Sequence, residues 1–391
     1  MASTVDFDVV IVGSGLVGSA FALALKDSGL KLALVEARPP QPLPADGSWD
    51  SRVYAISPGN AAFLGSLGIW PTLEQARVAP VYAMQIFGDD NTASLNFNAY
   101  QASLPELAFI LENRLLQDAL WQTLQHQADL EIICPAQCAA IDWDPSHATL
   151  ALADGRALRT KLIIGADGAQ SWVRGQAGIE ANPRPYNQMG VVANFETELP
   201  HGNIARQWFR EDGVLAWLPL PGQRISMVWS TWDEQAQALT AFSAPDLEAA
   251  VAAAGQNALG KLKLITPAAA FPLRLLRLDH LVKPRLALIG DAAHNVHPLA
   301  GQGVNLGFQD AQVLAQVLSA RGPWDCGAQL LLRRFERARK EDILAMQSVT
   351  DALQKLFNNT NPVLGTVRNL GLHFTDSLPW IKNALVQQAL R

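Results

Sequence analysis

The chain's 391 residues exceed what one hydrophobic core usually supports, so two folded units are expected. Hydrophobic residues make up 49% and charged residues 17%, a balance that excludes a disordered chain. With 30 basic and 36 acidic side chains the net charge is −6, and no basic patch is interleaved with aromatics, which excludes a nucleic-acid binder.

The N-terminus, from Met1 to Asp8, lacks a positive region and enters a strand directly, so no secretory signal is read there. Residues 9–12 are a β-branched apolar run bounded by Gly13, the pattern of a buried parallel strand. The spacing of Ala20, Leu23 and Ala24 predicts a helix over 16–28, with Gly29 as its stop. A second strand over 32–35 ends on Glu36. Residues 55–73 are uncharged, yet Pro58, Gly59, Gly65, Gly68 and Pro71 exclude a membrane-spanning helix, and a cytoplasmic protein is expected. Leu116, Leu120 and Leu124 place a helix over 113–125. Cys134 and Cys138 are spaced too widely for a C-x-x-C redox pair; they read as strand-borne core thiols which, with Cys326, point to a reducing compartment.

Strands over 162–164 and 286–289 lead into Asp167-Gly168 and Gly290-Asp291. Carboxyl ends of such strands are where open α/β sheets bind ligands. Between them, runs over 190–196, 204–210, 214–218 and 224–232, with turns at Pro200, Gly213 and Pro221-Gly222, predict an inserted antiparallel sheet carrying Trp208, Trp217, Trp229 and Trp232. Beyond Phe308 the chain reads as helical, with a break at 358–362. Within that region Arg333, Arg334, Arg337, Arg339 and Lys340 surround Glu336, a mixed run that favours a solvated helix face over lipid headgroup contact.

Gly13-Ser14-Gly15-Leu16-Val17-Gly18 is a G-x-G-x-x-G, a weak pattern alone. Here a buried strand precedes it, a helix follows, and Glu36 ends the next strand, which is the full context of a dinucleotide fingerprint. Gly13 permits the tight turn, Gly15 admits a pyrophosphate to the backbone, Gly18 lets helix and strand pack, and Glu36 is placed for a ribose. NAD and FAD both satisfy this motif. His294 and His297 form an H-x-x-H pair, but nothing beside them completes a zinc ligand set, so no metal is expected.

The segment Gly290-Asp291-Ala292-Ala293-His294, continuing through Pro298, Gly301, Gly303, Val304 and Asn305, is more specific. Together with Asp167-Gly168 it resembles the para-hydroxybenzoate hydroxylase class of flavin monooxygenases, whose motifs occur in this order. Residues 50–57, 218–222, 297–307, 356–362 and 368–372 resemble, more closely, the ubiquinone-biosynthesis hydroxylases within that class. The resemblance implies an α/β fold: a Rossmann-type FAD-binding domain (1–74, 101–182, 272–330), an inserted antiparallel β-sheet substrate domain (75–100, 183–271) and a helical C-terminal segment (331–391).

It also implies FAD held by Gly13, Gly15, Leu16, Val17, Gly18, Glu36 and Arg38, by Arg52, Arg114 and Asp167, and by Asp291, Gly301, Gly303, Val304 and Asn305. Asp291 would meet a ribityl hydroxyl, and the 301–305 loop the flavin's pyrimidine edge. Arg52 and Arg114 could instead be surface ion-pair residues. His297 and Pro298 are candidates near the flavin, while His294 would satisfy a backbone group. The implied reaction hydroxylates a polyprenylated phenol with NAD(P)H and O2 through a flavin hydroperoxide. It further implies weak peripheral association with the inner membrane surface and contact with other ubiquinone-biosynthesis proteins. A tryptophan-rich sheet would line an apolar channel to the flavin. An isoprenoid reductase or halogenase of the same fold, and a flavin-bound scaffold, remain as alternatives; the W-x-W-x-I-P stretch of a halogenase is absent.

Overall fold

The computed structural model describes residues 5–88, 94–296 and 303–357. β1 (Phe7–Val12) passes through the glycine turn into α1 (Leu16–Ala24) and returns as β2 (Leu32–Val35), parallel to β1 with Val9 opposite Leu32. α1 stops short of Ser28, because Asp27 and Gly29 both take positive φ, at 63° and 72°, and the chain turns there. Next come β3 (Val53–Ile56), α2 (Pro58–Ser66), β4 (Ala79–Val81), β5 (Ala83–Phe87), β6 (Ser94–Asn98), β7 (Ala108–Glu112) and α3 (Asn113–Leu124). α3 buries Leu115, Leu116, Leu120 and Leu124 on one face. β8 (Leu130–Ile133), β9 (Cys138–Trp143), β10 (Ala148–Leu152), β11 (Ala157–Gly165) and α4 (Trp172–Gln176) follow.

The chain then builds β12 (Arg184–Thr197), β13 (Ile204–Arg210), β14 (Gly213–Leu220), β15 (Arg224–Trp232), α5 (Asp233–Ala241), α6 (Ala244–Ala254), β16 (Leu262–Leu264) and β17 (Ala269–Leu275). It returns through β18 (Val282–Lys283) and β19 (Leu286–Leu288) to α7 (Gly303–Ser319) and α8 (Gln329–Phe357). One sheet runs β18-β19-β11-β1-β2-β8, parallel from β19 to β8, with the β9–β10 hairpin attached to β11. The second runs β16-β12-β15-β14-β13-β5-β6 with β17 on β12; it is antiparallel as expected except where β5 joins β13 in parallel. β3, β7 and β4 make a small third sheet. α7 anchors the parallel sheet with Phe308, Ala311, Leu314 and Leu318 fully buried, and each such Leu or Phe contributes about 1.5–3 kcal/mol.

Alternation along the second sheet assigns its faces, and corrects one expectation. Val191, Ala193, Phe195, Trp208, Trp217 and Trp229 pack with Ala236, Leu239, Leu247 and Val251 of α5 and α6. The opposite face carries Asn194, whose Nδ2 donates to the Asp50 carbonyl at 2.8 Å, and Ala205 and Leu220, which pack on Ala79, Val81 and Ile110. Three of the four tryptophans therefore fill a core turned away from the parallel-sheet domain and line no channel toward it. Only Trp232, 41% exposed, stays at the surface.

Two further readings change. The basic run is not wholly solvated: Arg339 is 2% exposed and Glu336 is buried, while Arg333, Arg334, Arg337 and Lys340 are exposed. Cys134 lies just beyond β8 and Cys138 opens β9, both half-buried, while Cys326 is buried. Burial raises the pKa of all three thiols, Cys138 and Cys326 to about 12, which disfavours the reactive thiolate. Residues 358–391, with the expected helix break and most of the apolar tail, lie outside the described residues.

Candidate functional site

Val12 pairs with Gly165, and Gly165 with Leu288, so the residues following β1, β11 and β19 share one edge of the parallel sheet. These are Gly13, Ala166-Asp167 and Gly290-Asp291. Gly13 takes φ +105°, and a Cβ there would stand 2.5 Å from the Ala166 carbonyl oxygen. A Cβ on Gly18 would come within 2.1 Å of the Gly13 carbonyl oxygen, so helix and turn touch backbone to backbone. Gly15 is different in kind. Its φ of −61° and ψ of 176° suit any residue, and a Cβ would meet nothing within 4 Å. The fold gives no reason for glycine at 15; a ligand approaching the backbone does. Gly15 also caps α1 without any side-chain hydrogen bond, so the helix offers its first N–H groups and its positive end to an anion. Leu16 is buried, and Val17 is half-buried and packs on Gly290 and Gly307.

The turn is pinned by side chains. Glu36 Oε2 accepts from Ser14 N at 2.7 Å and Ser14 Oγ at 3.0 Å, and its Oε1 accepts from Arg38 N at 3.1 Å. The Ser14 carbonyl accepts from Ser19 Oγ at 2.8 Å and from Gln117 Nε2 at 2.7 Å. Gln117 lies one turn beyond Arg114 on α3. Arg114 itself forms a loose pair with Asp50, 3.8 Å apart on a side chain 41% exposed, and such pairs contribute little. Asp167 turns its carboxylate into α4, accepting from Ser171 Oγ at 2.5 Å and Val173 N at 3.0 Å. Arg174 then joins the two strand ends, donating to Ala169 O at 3.0 Å and Ala292 O at 2.8 Å.

Asp291 stands at the end of β19 with no hydrogen bond to the described residues. The residue as a whole is exposed, yet the protein around its carboxyl desolvates it. Desolvation raises its pKa, against lowering by His294 and Arg52. Arg52 also sits 5.4 Å from the Tyr54 ring, and burial pushes the Tyr54 hydroxyl up to about 12, with Asp291 adding to the rise. Arg52, Tyr54 and Asp291 thus converge.

Behind them Asp310 of α7, fully buried, accepts from Gly290 N at 3.0 Å and Arg339 Nε at 2.8 Å, and meets His294 Nε2 at 2.6 Å. His294 therefore pairs with a carboxylate, not with a backbone group as its sequence suggests. Burial alone would raise Asp310, but the interactions with His294 and Arg339 outweigh it and hold the carboxyl below its ordinary value.

Gly303, Val304 and Asn305 are the first turn of α7, not a loop. A Cβ on Gly303 would meet nothing within 4 Å, while one on Gly307 would stand 2.5 Å from Val17 Cγ2, so α1 and α7 begin side by side. Asn305 is buried and zips α7 to the β3–α2 junction: its Oδ1 accepts from Ser57 N at 3.0 Å, and its Nδ2 donates to Ala55 O at 2.8 Å. Gly301, His297 and Pro298 lie outside the described residues. Among the described residues no three His, Cys, Asp or Glu side chains gather as for a metal, and no helix is long and apolar enough to cross a membrane. A surface cleft of about 390 Å³ beside Trp229 and Phe242 lies on the helix-covered side of the second sheet, remote from Asp291.

Two glycine-led helix starts, an open backbone at Gly15 and a carboxylate past a strand end that makes no hydrogen bond among the described residues fit an extended dinucleotide. Sequence reasoning gives no role to Tyr54, Gln117, Arg174 or Asp310, and reads Arg339 only as part of a solvated face; Tyr54 lies in the stretch 50–57 and Gln117 in the helix over 113–125 that it singles out. Asp291→Ala should remove a charge-assisted hydrogen bond of about 1.5–3 kcal/mol. FAD affinity, measured by fluorescence titration, is expected to fall about tenfold or more with an unchanged unfolding midpoint. An unchanged dissociation constant would separate Asp291 from the cofactor.

Comparison with known proteins gives concordant results. The FAD binding domain family matches residues 6–343. The 3-demethoxyubiquinol 3-hydroxylase of Escherichia coli (strain K12) is 36% identical over 387 residues, covering 98% of each chain. Ubiquinone hydroxylase UbiL of Rhodospirillum rubrum is 34% identical over 385 residues, 98% of this chain and 89% of that one. Among solved structures, PqsL of Pseudomonas aeruginosa, a probable FAD-dependent monooxygenase, superposes with a TM-score of 0.79 at 24% identity, covering 94% of this chain and 100% of that one. That likeness speaks to the fold alone.

Proposed function

The chain belongs to the ubiquinone-biosynthesis hydroxylase family of FAD-dependent aromatic monooxygenases, and from that membership we propose that it hydroxylates the ring of a polyprenylated phenol, using NAD(P)H and O2. The observation that carries this reading is the extent of the likeness: the match, 36% identical over 387 residues, spans the inserted sheet as well as the cofactor edge.

FAD would lie along the edge of the parallel sheet. Gly13, Gly15, Leu16, Val17 and Gly18 would present backbone to its pyrophosphate, with Glu36 and Arg38 toward the adenosine. Asp291, Arg52, Arg114 and Asp167 would line its course, with Gly301, Gly303, Val304 and Asn305 at the flavin end. The bound flavin supplies electron transfer and oxygen activation. The protein's own part is to hold the ring beside it and to exclude water. The first turn of α7 would offer its helix N–H groups to negative charge on the flavin. His297 and Pro298 stay candidates for contact with the ring. Weak association with the inner membrane surface, and with other proteins of the pathway, follows from a substrate that resides in the bilayer.

The purified protein should be yellow and release intact FAD on acid denaturation. Colour left in the pellet would mean covalent attachment. NAD(P)H oxidation and O2 uptake should rise together when a phenol is added, and a prenyl-tailed phenol should show the lower KM, since each buried methylene contributes about 0.8 kcal/mol. Equal kinetics for tailed and tail-less phenols would remove the lipid substrate and leave the hydroxylase; oxidation without O2 uptake would make it a reductase.

A further inference from the structure

We propose that one face of α8 is a docking surface for a bilayer rich in anionic phospholipid, an inference that rests on the bilayer-resident substrate proposed above. Leu330, Arg333, Arg334, Arg337, Glu341 and Leu344 recur at helical spacing and are all exposed, so they form one stripe, with Lys340 at its border.

The sequence blurs this stripe because Glu336 and Arg339 belong to the same run. The fold removes both. Glu336 is buried and accepts from Leu281 N at 2.7 Å, and Arg339 commits its guanidinium to Asp310 and Asp342. What faces outward is Arg333, Arg334, Arg337 and Lys340 against Glu341 within the stripe. Asp342, the next carboxylate, is the one paired with Arg339 at 2.9 Å.

Apolar side chains accompany the cations. Leu330 is 65% exposed and Leu344 40%, and Trp324, 46% exposed, lies beside Arg334, whose guanidinium is 5.9 Å from its ring. Of the ten large apolar side chains left exposed among the described residues, four (Trp324, Leu330, Leu344 and Val349) are on or next to this helix, so the concentration is local. Arginines interspersed with Leu on one helix face, with a Trp beside them, are suited to seating at headgroup level, and a cluster of four cations is suited to anionic lipid. The chain's net charge of −6 opposes general adsorption to a negative surface, so attraction must come from a patch.

The test is flotation of the FAD-loaded protein with phosphatidylcholine vesicles, with and without phosphatidylglycerol at about one lipid in three. Partition onto anionic vesicles should be about tenfold higher or more, and lost in high salt. The triple variant Arg333→Gln, Arg334→Gln, Arg337→Gln should lose that preference while keeping its FAD and its turnover of a short-tailed, water-soluble phenol. Trp324→Ala should lower partition severalfold with the anionic preference retained. Equal flotation of variant and wild type, equal binding to neutral vesicles, or no binding at all overturns the proposal, the last assigning the face to an acidic protein. Failure of the wild type to turn over the phenol strikes the substrate reading instead and leaves the flotation result intact.

Discussion

Gly15→Val should give a protein that folds, melts where the FAD-free wild type melts, and purifies without colour. The position has ordinary backbone angles and open space around its Cβ, so the apo fold tolerates a branched side chain. A ligand laid against that backbone does not. Overpacking costs about 1–3 kcal/mol, and the side chain also holds the phosphates away from the helix N–H groups, so FAD affinity should fall about a hundredfold or more. Gly13→Val is the contrast. It forces a positive φ and a 2.5 Å approach to the Ala166 carbonyl, so it should fail to fold. Titration of FAD into both proteins, alongside their unfolding curves, separates the two roles. A Gly15→Val protein that retained full FAD would make the motif a structural turn only.

The second large effect is expected at Asp310→Ala. Removing this carboxylate leaves the Arg339 guanidinium without its buried partner, the Gly290 N–H without its acceptor, and the His294 ring without its carboxylate. Breaking a buried pair from one side costs about 3–5 kcal/mol. Urea unfolding should report that loss, and FAD binding should weaken too, because Asp310 fixes the turn that carries Asp291. A carboxyl held below its ordinary value stabilises the fold above that value and loses this contribution as pH falls, so the wild type should shed more stability on acidification than Asp310→Ala does. Identical acid sensitivity in the two proteins would show that the buried carboxylate contributes nothing.

The cofactor edge is legible in the sequence because its signals are local. A β-branched run, a glycine turn and an amphipathic helix each lie within a few residues, and β1, α1 and β2 occur where that pattern puts them. Asp310 and Arg339 are not legible, since each reads alone as a charge on a helix and only the packing of α7 on α8 joins them. The tryptophans mislead for a related reason. Alternation separates the two faces of a sheet but does not say which face meets helices, and the strand pattern gives no sign of α5 and α6 beside it. The β3–β7–β4 sheet escapes the eye because its strands are three to five residues long and paired across long intervals.

The order in which the site's parts occur along the chain has a consequence for biosynthesis. Of these parts the glycine turn is made before the strand end bearing Asp291 and the helices bearing Asp310 and Arg339, which come about 280–325 residues later, roughly 15–65 s at ordinary elongation rates. Until then α1 presents its N-terminus, and the β1–α1–β2 unit its uncovered flank, without the partners that complete them. Capture of FAD at this edge is therefore expected to be a late event, completed only after β19, α7 and α8 have been made.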